Sequence, residues 1–181
     1  MDADTLQAQL DELYFLVIDS YDVSSLGKEK IKAIEKWVKN GGWLLIGTGE
    51  RGKDTLGGFD SSFMEVSCKR VSKVGEENDA SKEMQQLGSY SGFTGIDFSQ
   101  MPVAKLQRNN INASKSEAYP GWVYACGDGA IGVCAISFGE KQMQKASTDL
   151  CYGIYDQVAG YSMILSFKKV TVNTEQSSQK L

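Results

Sequence analysis

The chain has 181 residues, 41% of them hydrophobic, which is enough for one packed domain and cramped for two. Nineteen Lys and Arg stand against 23 Asp and Glu, a net charge of −4 without any long block of like charge, so the clustered positive surface that nucleic acid requires is not expected. There is no histidine, which removes any mechanism that depends on an imidazole base or ligand.

From Asp2 to Leu13 the apolar residues Leu6, Leu10 and Leu13 fall at helical spacing and predict a short amphipathic helix. Tyr14 to Ile18 follows as an unbroken apolar run ending at Asp19, the pattern of a parallel strand covered on both faces. Ser24 and Ser25 offer an N-cap to a helix over Leu26–Lys39. Its stripe is Leu26, Ile31, Ile34, Trp37 and Val38, and Lys28, Glu29, Lys32, Glu35, Lys36 and Lys39 are left to face water. Asn40-Gly41-Gly42 supplies the helix stop, and Trp43 to Ile46 re-enters the sheet, so that strand, helix and strand form one βαβ unit.

The middle of the chain is rich in glycine and shows only two short strand-like runs, Phe63–Val66 and Val71–Val74, with a polar loop expected over Glu76–Lys82. Gly121–Cys126 and Ala130–Phe138 flank Gly127-Asp128-Gly129, which is turn chemistry for a β-hairpin. A last helix is expected over Ser147–Leu165, with Leu150, Ile154, Val158 and Tyr161 on one side. The whole of 1–170 reads as one domain and Thr171–Leu181 as a polar tail or linker.

Neither Tyr14–Ile18 nor Trp43–Ile46 approaches the roughly 20 apolar residues that cross a bilayer. The opening Met1-Asp2-Ala3-Asp4 is acidic and is no signal peptide, so the chain is expected either to stay inside the cell or to be a piece of a longer protein. Cys68, Cys126, Cys134 and Cys151 are widely spaced, with no C-x-x-C pair and no histidine to complete a mixed site, so neither a metal nor any other cofactor is expected. Cys126 and Cys134 lie in strand-like runs and read as small buried residues.

Two blocks carry a family likeness. Leu13 to Asp19, Asp22 to Leu26 and Ala33 to Gly47 resemble a segment of class I glutamine amidotransferase-like domains, in particular the catalytically silent versions found in large bacterial surface or membrane-anchored proteins. Gly127 to Val133, followed by Ala135 to Gly139, is similar to the hairpin strand that closes such domains. The resemblance implies a three-layer, flavodoxin-like α/β fold with a mainly parallel sheet and a C-terminal β-hairpin. It also implies that the sheet begins late, because the family's usual first strand and helix would lie upstream of Asp2.

Working members place a cysteine nucleophile in a G-x-C-x-G elbow after a strand, with a His and a Glu further on. Here Trp43–Ile46 leads into Gly47-Thr48-Gly49-Glu50-Arg51-Gly52, which puts glycine at the nucleophile position, Gly49 or Gly47. The expected function is therefore a non-catalytic binding or structural module of a longer extracytoplasmic, membrane-anchored bacterial protein. Its partners would be other domains of that host.

The alternative is a cytoplasmic enzyme or sensor that holds a nucleotide or a metal at the carboxyl ends of the strands. Asp19, Ser20, Asp22 and Ser24 after the first strand, with Thr48, Gly49, Glu50 and Arg51 after the second, line that crevice. Gly47-x-Gly49-x-x-Gly52 is formally a dinucleotide fingerprint, but Lys53 to Phe59 has no helical stripe to present to a pyrophosphate. A plainer reading gives Asp22 and Ser24 to the turn and the helix cap and leaves Glu50 and Arg51 solvated. Trp37 and Trp43 read as core residues rather than as a sugar platform.

Overall fold

The structure, a computed structural model, describes residues 2–76, 97–116 and 119–143. The predicted helix Ser147–Leu165, the tail Thr171–Leu181, Cys151 and most of the predicted loop Glu76–Lys82 lie outside the described residues.

The first helix, α1, runs Ala3–Leu10, and Asp2 caps it by accepting from the Thr5 amide at 2.8 Å. Strand β1 is Phe15–Asp19, and a 3₁₀ turn at Val23–Leu26 leads to α2, Lys28–Lys39. That helix is shorter than the sequence suggested because Gly27, at φ +82°, separates the 3₁₀ turn from it. Ser24 and Ser25 therefore do not cap α2. Its far end follows the expected chemistry: Gly41, at φ +116°, donates to the Val38 carbonyl at 3.0 Å and Gly42 to the Trp37 carbonyl at 3.1 Å, which is a Schellman stop.

Strand β2, Trp43–Gly47, pairs with β1 in parallel from Phe15↔Trp43 to Asp19↔Gly47. A 3₁₀ turn at Gly49–Arg51 and a short helix α3, Gly52–Gly57, come next. Strands β3, Val66–Lys73, and β4, Pro102–Arg108, form a separate antiparallel ribbon with a bulge between Cys68 and Arg70. The main sheet is completed by β5, Ser114–Lys115, β6, Gly121–Cys126, and β7, Gly129–Cys134, in the order β1-β2-β7-β6-β5. Strands β1, β2 and β7 are parallel, whereas β6 and β5 run antiparallel to their neighbours.

The predicted hairpin is β6 and β7. Positive φ at Gly127 (+62°) but not at Asp128 is the mark of a type II′ turn. The turn abuts the end of α2, where the Asp128 amide donates to the Lys39 carbonyl at 2.9 Å and satisfies one of the helix's open acceptors. The second strand of the hairpin ends at Cys134 instead of Phe138, because the chain then leaves the sheet to bond elsewhere: Ala135 donates to Pro120 and accepts from Ala104.

The parallel strands β1, β2 and β7 are almost wholly apolar, yet their side chains alternate between two cores. Leu16, Ile18, Leu44, Ile46, Ile131 and Val133 face α1 and α2 and meet Leu10, Ile34, Trp37 and Val38 there. Truncating a fully buried member such as Leu44 to alanine is expected to cost about 2–5 kcal/mol. Phe15, Trp43, Leu45 and Cys134 face the other way, onto Val74, Phe98, Met101, Val103 and Tyr119. Among the described residues this second face is thus covered by β4 and the segment before it rather than by helices.

Several expectations need correction. Tyr14 precedes β1 and is 83% exposed, and Val17 is 46% exposed, because β1 ends the sheet order and is not covered on both faces along its length. Glu35 is not on the wet side of α2: it is buried, and its Oε1 accepts from the Asp60 amide at 2.8 Å. Phe63–Val66 is not a strand, since Phe63 ends a turn, Met64 and Glu65 belong to no element, and only Val66 opens β3; Phe63 and Met64 are buried beside Tyr124. The ribbon strand β4 had no sequence signal, and Gly52–Gly57 is helical despite its glycines. Trp37 is buried in the first core and Trp43 packs on the second, which makes both of them core residues.

Candidate functional site

The parallel pairing of β1 with β2 brings Asp19 alongside Gly47, with Ser20, Thr48 and Gly49 immediately beyond, so these residues meet at the carboxyl end of the sheet as the sequence suggested. Ser20 has φ +47° and donates its amide to the Gly47 carbonyl at 2.8 Å, which turns the chain sharply away from β1. What fills the space between them was not foreseen: the segment Ser137-Phe138-Gly139, which follows β7.

The Asp19 carboxylate is taken up entirely with that segment. Its Oδ2 accepts from Ser137 Oγ at 2.8 Å and from the Gly139 amide at 2.9 Å, and its Oδ1 accepts from the Phe138 amide at 3.0 Å. Charge-assisted bonds of this kind are the strong ones, and here they serve to fasten one loop to another strand's end. Thr48 is fully buried, and its hydroxyl donates to the Cys134 carbonyl at 2.7 Å while its amide reaches the Cys134 and Ile136 carbonyls. The side-chain oxygens of Asp19 and Thr48 are thus all engaged within the protein.

The remaining predicted residues scatter. Asp22 accepts from the Ser24 amide at 3.1 Å and from the Ser24 hydroxyl at 2.6 Å, so both serve the 3₁₀ turn, and Val23 between them packs into the core. Glu50 and Arg51 are exposed. Among the described residues no three acidic or thiol side chains are placed to hold a metal ion together.

Each glycine of the Gly47-x-Gly49-x-x-Gly52 motif has its bare side turned to protein. A Cβ on Gly47 would run into the Asp19 carboxylate, one on Gly49 would lie 2.9 Å from Ser137 Cβ, and one on Gly52 would lie 2.9 Å from both Ala104 Cβ and Cys68 Sγ. A pyrophosphate cradle needs the opposite, glycines whose bare backbone faces an open ligand site. The helix that follows, α3, has only six residues. Close packing accounts for all three glycines.

No family model matches the chain, and no curated protein matches its sequence. The geometry therefore stands by itself.

Elsewhere the chemistry-bearing groups are turned inward. Burial raises the Cys68 and Cys126 thiols above their ordinary pKa, which keeps them protonated and unreactive near neutrality. Cys134 is fully buried, as its strand position suggested. Tyr124 is also fully buried, and its hydroxyl accepts from the Glu65 amide at 3.2 Å and approaches the Phe63 carbonyl at 3.4 Å, tying β6 to the entry of the β3–β4 ribbon. No helix among the described residues is long and apolar enough to cross a membrane.

Proposed function

We propose that this chain is a non-catalytic binding or structural module, resembling class I glutamine amidotransferase-like domains of the catalytically silent kind, within a longer extracytoplasmic, membrane-anchored bacterial protein. The observation that carries this reading is Gly49. It opens the 3₁₀ turn that follows β2 and leads into α3, with φ +50°, the position and left-handed backbone of a strand-to-helix nucleophile elbow. The elbow has no nucleophile, and Ser137 stands where a side chain would go. Three parallel strands, a crossover helix and a closing hairpin support the flavodoxin-like form of the reading, whereas the described helices α1 and α2 cover one face of the sheet and lend no support to its third layer. The nucleotide or metal alternative draws no support from the crevice, whose Asp19 and Thr48 are bonded internally.

Two measurements test it. The chain and its Gly49→Cys variant are assayed for ammonia release from glutamine, and neither is expected to turn over. Activity in the parent that is lost on replacing one cysteine would overturn the reading. The coding sequence around this chain, together with fractionation of cells, is expected to reveal a host protein with an export signal and an apolar anchor; cytosolic fractionation of the native product would remove the extracytoplasmic part.

A further inference from the structure

Away from the glycine loop, α1, β1 and α2 border an open cavity of about 350 Å³, its apolar lining including Leu6, Leu10, Leu16 and Ile34 and its polar lining Asp19, Tyr21 and Lys30. That is within the range of small-molecule sites, roughly 300–1,000 Å³. Its lining is polarised along its length. Asp19 and Tyr21 lie at the carboxyl end of β1 and Lys30 in the first turn of α2, which starts at that same end. Leu10, Leu16 and Ile34 line the other end, toward the start of β1 and the later turns of α2.

The polar groups at that end are unequal in their commitments. Asp19 is bonded to Ser137, Phe138 and Gly139. The Tyr21 hydroxyl accepts from Ser25 Oγ at 2.9 Å. Lys30 is half-buried against apolar side chains and, among the described residues, has neither an ion-pair nor a hydrogen-bond partner. A cation held at the mouth of an apolar cavity is complementary to an amphiphile with an anionic head. An extended anionic partner, such as an acidic peptide or an anionic membrane, fits poorly, because the whole chain carries −4. A discrete ligand with one negative group pairs with Lys30, and the Asp19 carboxylate in the same lining is already held by three donors.

We infer that this cavity is a binding site for a medium-chain anionic amphiphile, a fatty-acid-like molecule whose hydrocarbon lies along Leu6, Leu10, Leu16 and Ile34 and whose acid group pairs with Lys30. The site needs no catalytic group and does not depend on the module reading.

The probes are decanoate, hexanoate and decyltrimethylammonium, titrated calorimetrically into the full chain below their micelle concentrations. Decanoate is expected to bind saturably with one site, at least tenfold more tightly than decyltrimethylammonium, and also more than tenfold more tightly than hexanoate, which has four fewer methylenes to bury. Lys30→Met is expected to weaken decanoate about tenfold and not to weaken decyltrimethylammonium, whose head loses a like charge. Leu6→Trp, checked for folding by circular dichroism, is expected to fill the cavity and abolish decanoate binding. Equal affinity for the two head groups, no effect of Lys30→Met, undiminished binding to a folded Leu6→Trp chain, or no saturable binding by the folded parent would each overturn the inference. If Leu6→Trp does not fold, Lys30→Met and the head-group comparison decide.

Discussion

Asp19 Oδ2 and Ser137 Oγ are joined by a 2.8 Å hydrogen bond that spans 118 residues of sequence. It ties the end of the edge strand β1 to the segment leaving β7, two places away in the sheet. Asp19→Ala removes the common acceptor and strands the Phe138 amide, while the Gly139 amide keeps Ser137 Oγ at 3.1 Å. The expected cost is about 2–3 kcal/mol in urea denaturation, since bonds to a charged acceptor are worth about 1.5–3 kcal/mol each and losses here are partly shared. Ser137→Ala is expected to cost about 1 kcal/mol. An Asp19→Ala loss below about 0.5 kcal/mol would show that the clamp is incidental.

The glycines of the loop after β2 and the one that ends α3 are expected to respond oppositely to alanine. Gly49→Ala places a Cβ 2.9 Å from Ser137 Cβ and forces a left-handed backbone on a non-glycine residue, so a loss of about 1–3 kcal/mol is expected. Gly57, the last residue of α3, has no atom within 4 Å of a built Cβ. Gly57→Ala is expected to stabilise by about 0.4–1 kcal/mol through reduced freedom of the unfolded chain. Thermal melts of the two variants check the contrast, and a stabilising Gly49→Ala would contradict the packing described here.

Tyr119 and Tyr124 have their pKa raised from the ordinary 10.0, first and mainly by burial, so both stay protonated in the folded chain at pH values where the unfolded chain ionises. The unfolded state then holds fewer protons than the folded one, so stability is fully present below about pH 10 and falls as pH rises above it, by up to about 1.4 kcal/mol per pH unit for each tyrosine. Urea midpoints measured from pH 8 to 11 are expected to drop accordingly, and Tyr124→Phe is expected to make that drop shallower. An unchanged slope in the variant would mean that Tyr124 ionises as readily folded as unfolded.

Glu35 on α2 is 8% exposed and accepts from the Asp60 amide, 25 residues away, at 2.8 Å. Replacing it with alanine leaves that amide without its acceptor and a gap beside the helix, for an expected loss of about 1–3 kcal/mol. Exposed Glu29, whose contact with Lys32 is 3.9 Å between highly exposed side chains, is expected to change stability by less than about 0.5 kcal/mol on the same replacement. Paired denaturation curves of the two variants test whether burial, and not charge, is what distinguishes two glutamates on one helix.

Local chemistry was enough to write the first third of the fold and the hairpin. The apolar runs at 14–18 and 43–46, the stripe of Leu26, Ile31, Ile34, Trp37 and Val38, the Asn40-Gly41-Gly42 stop and the Gly127-Asp128-Gly129 turn each point to their element through neighbours a few residues away, although Tyr14 falls before β1 and Leu26 before α2. The absence of histidine and the glycines at 47, 49 and 52 were likewise plain in the sequence. Tertiary structure alone decided what those elements meet. Strand β4 is held by its pairing with β3, and Tyr124 is buried by the Phe63–Glu65 segment; neither has a local signal. Glu35 looked solvated on a helix face until Asp60 returned to bond it, and Asp19 looked like a ligand until residues 137–139 surrounded its carboxylate. A polar side chain in a sequence shows what it can bond; which donor reaches it first depends on segments far along the chain, and here the protein's own backbone arrives before any ligand does.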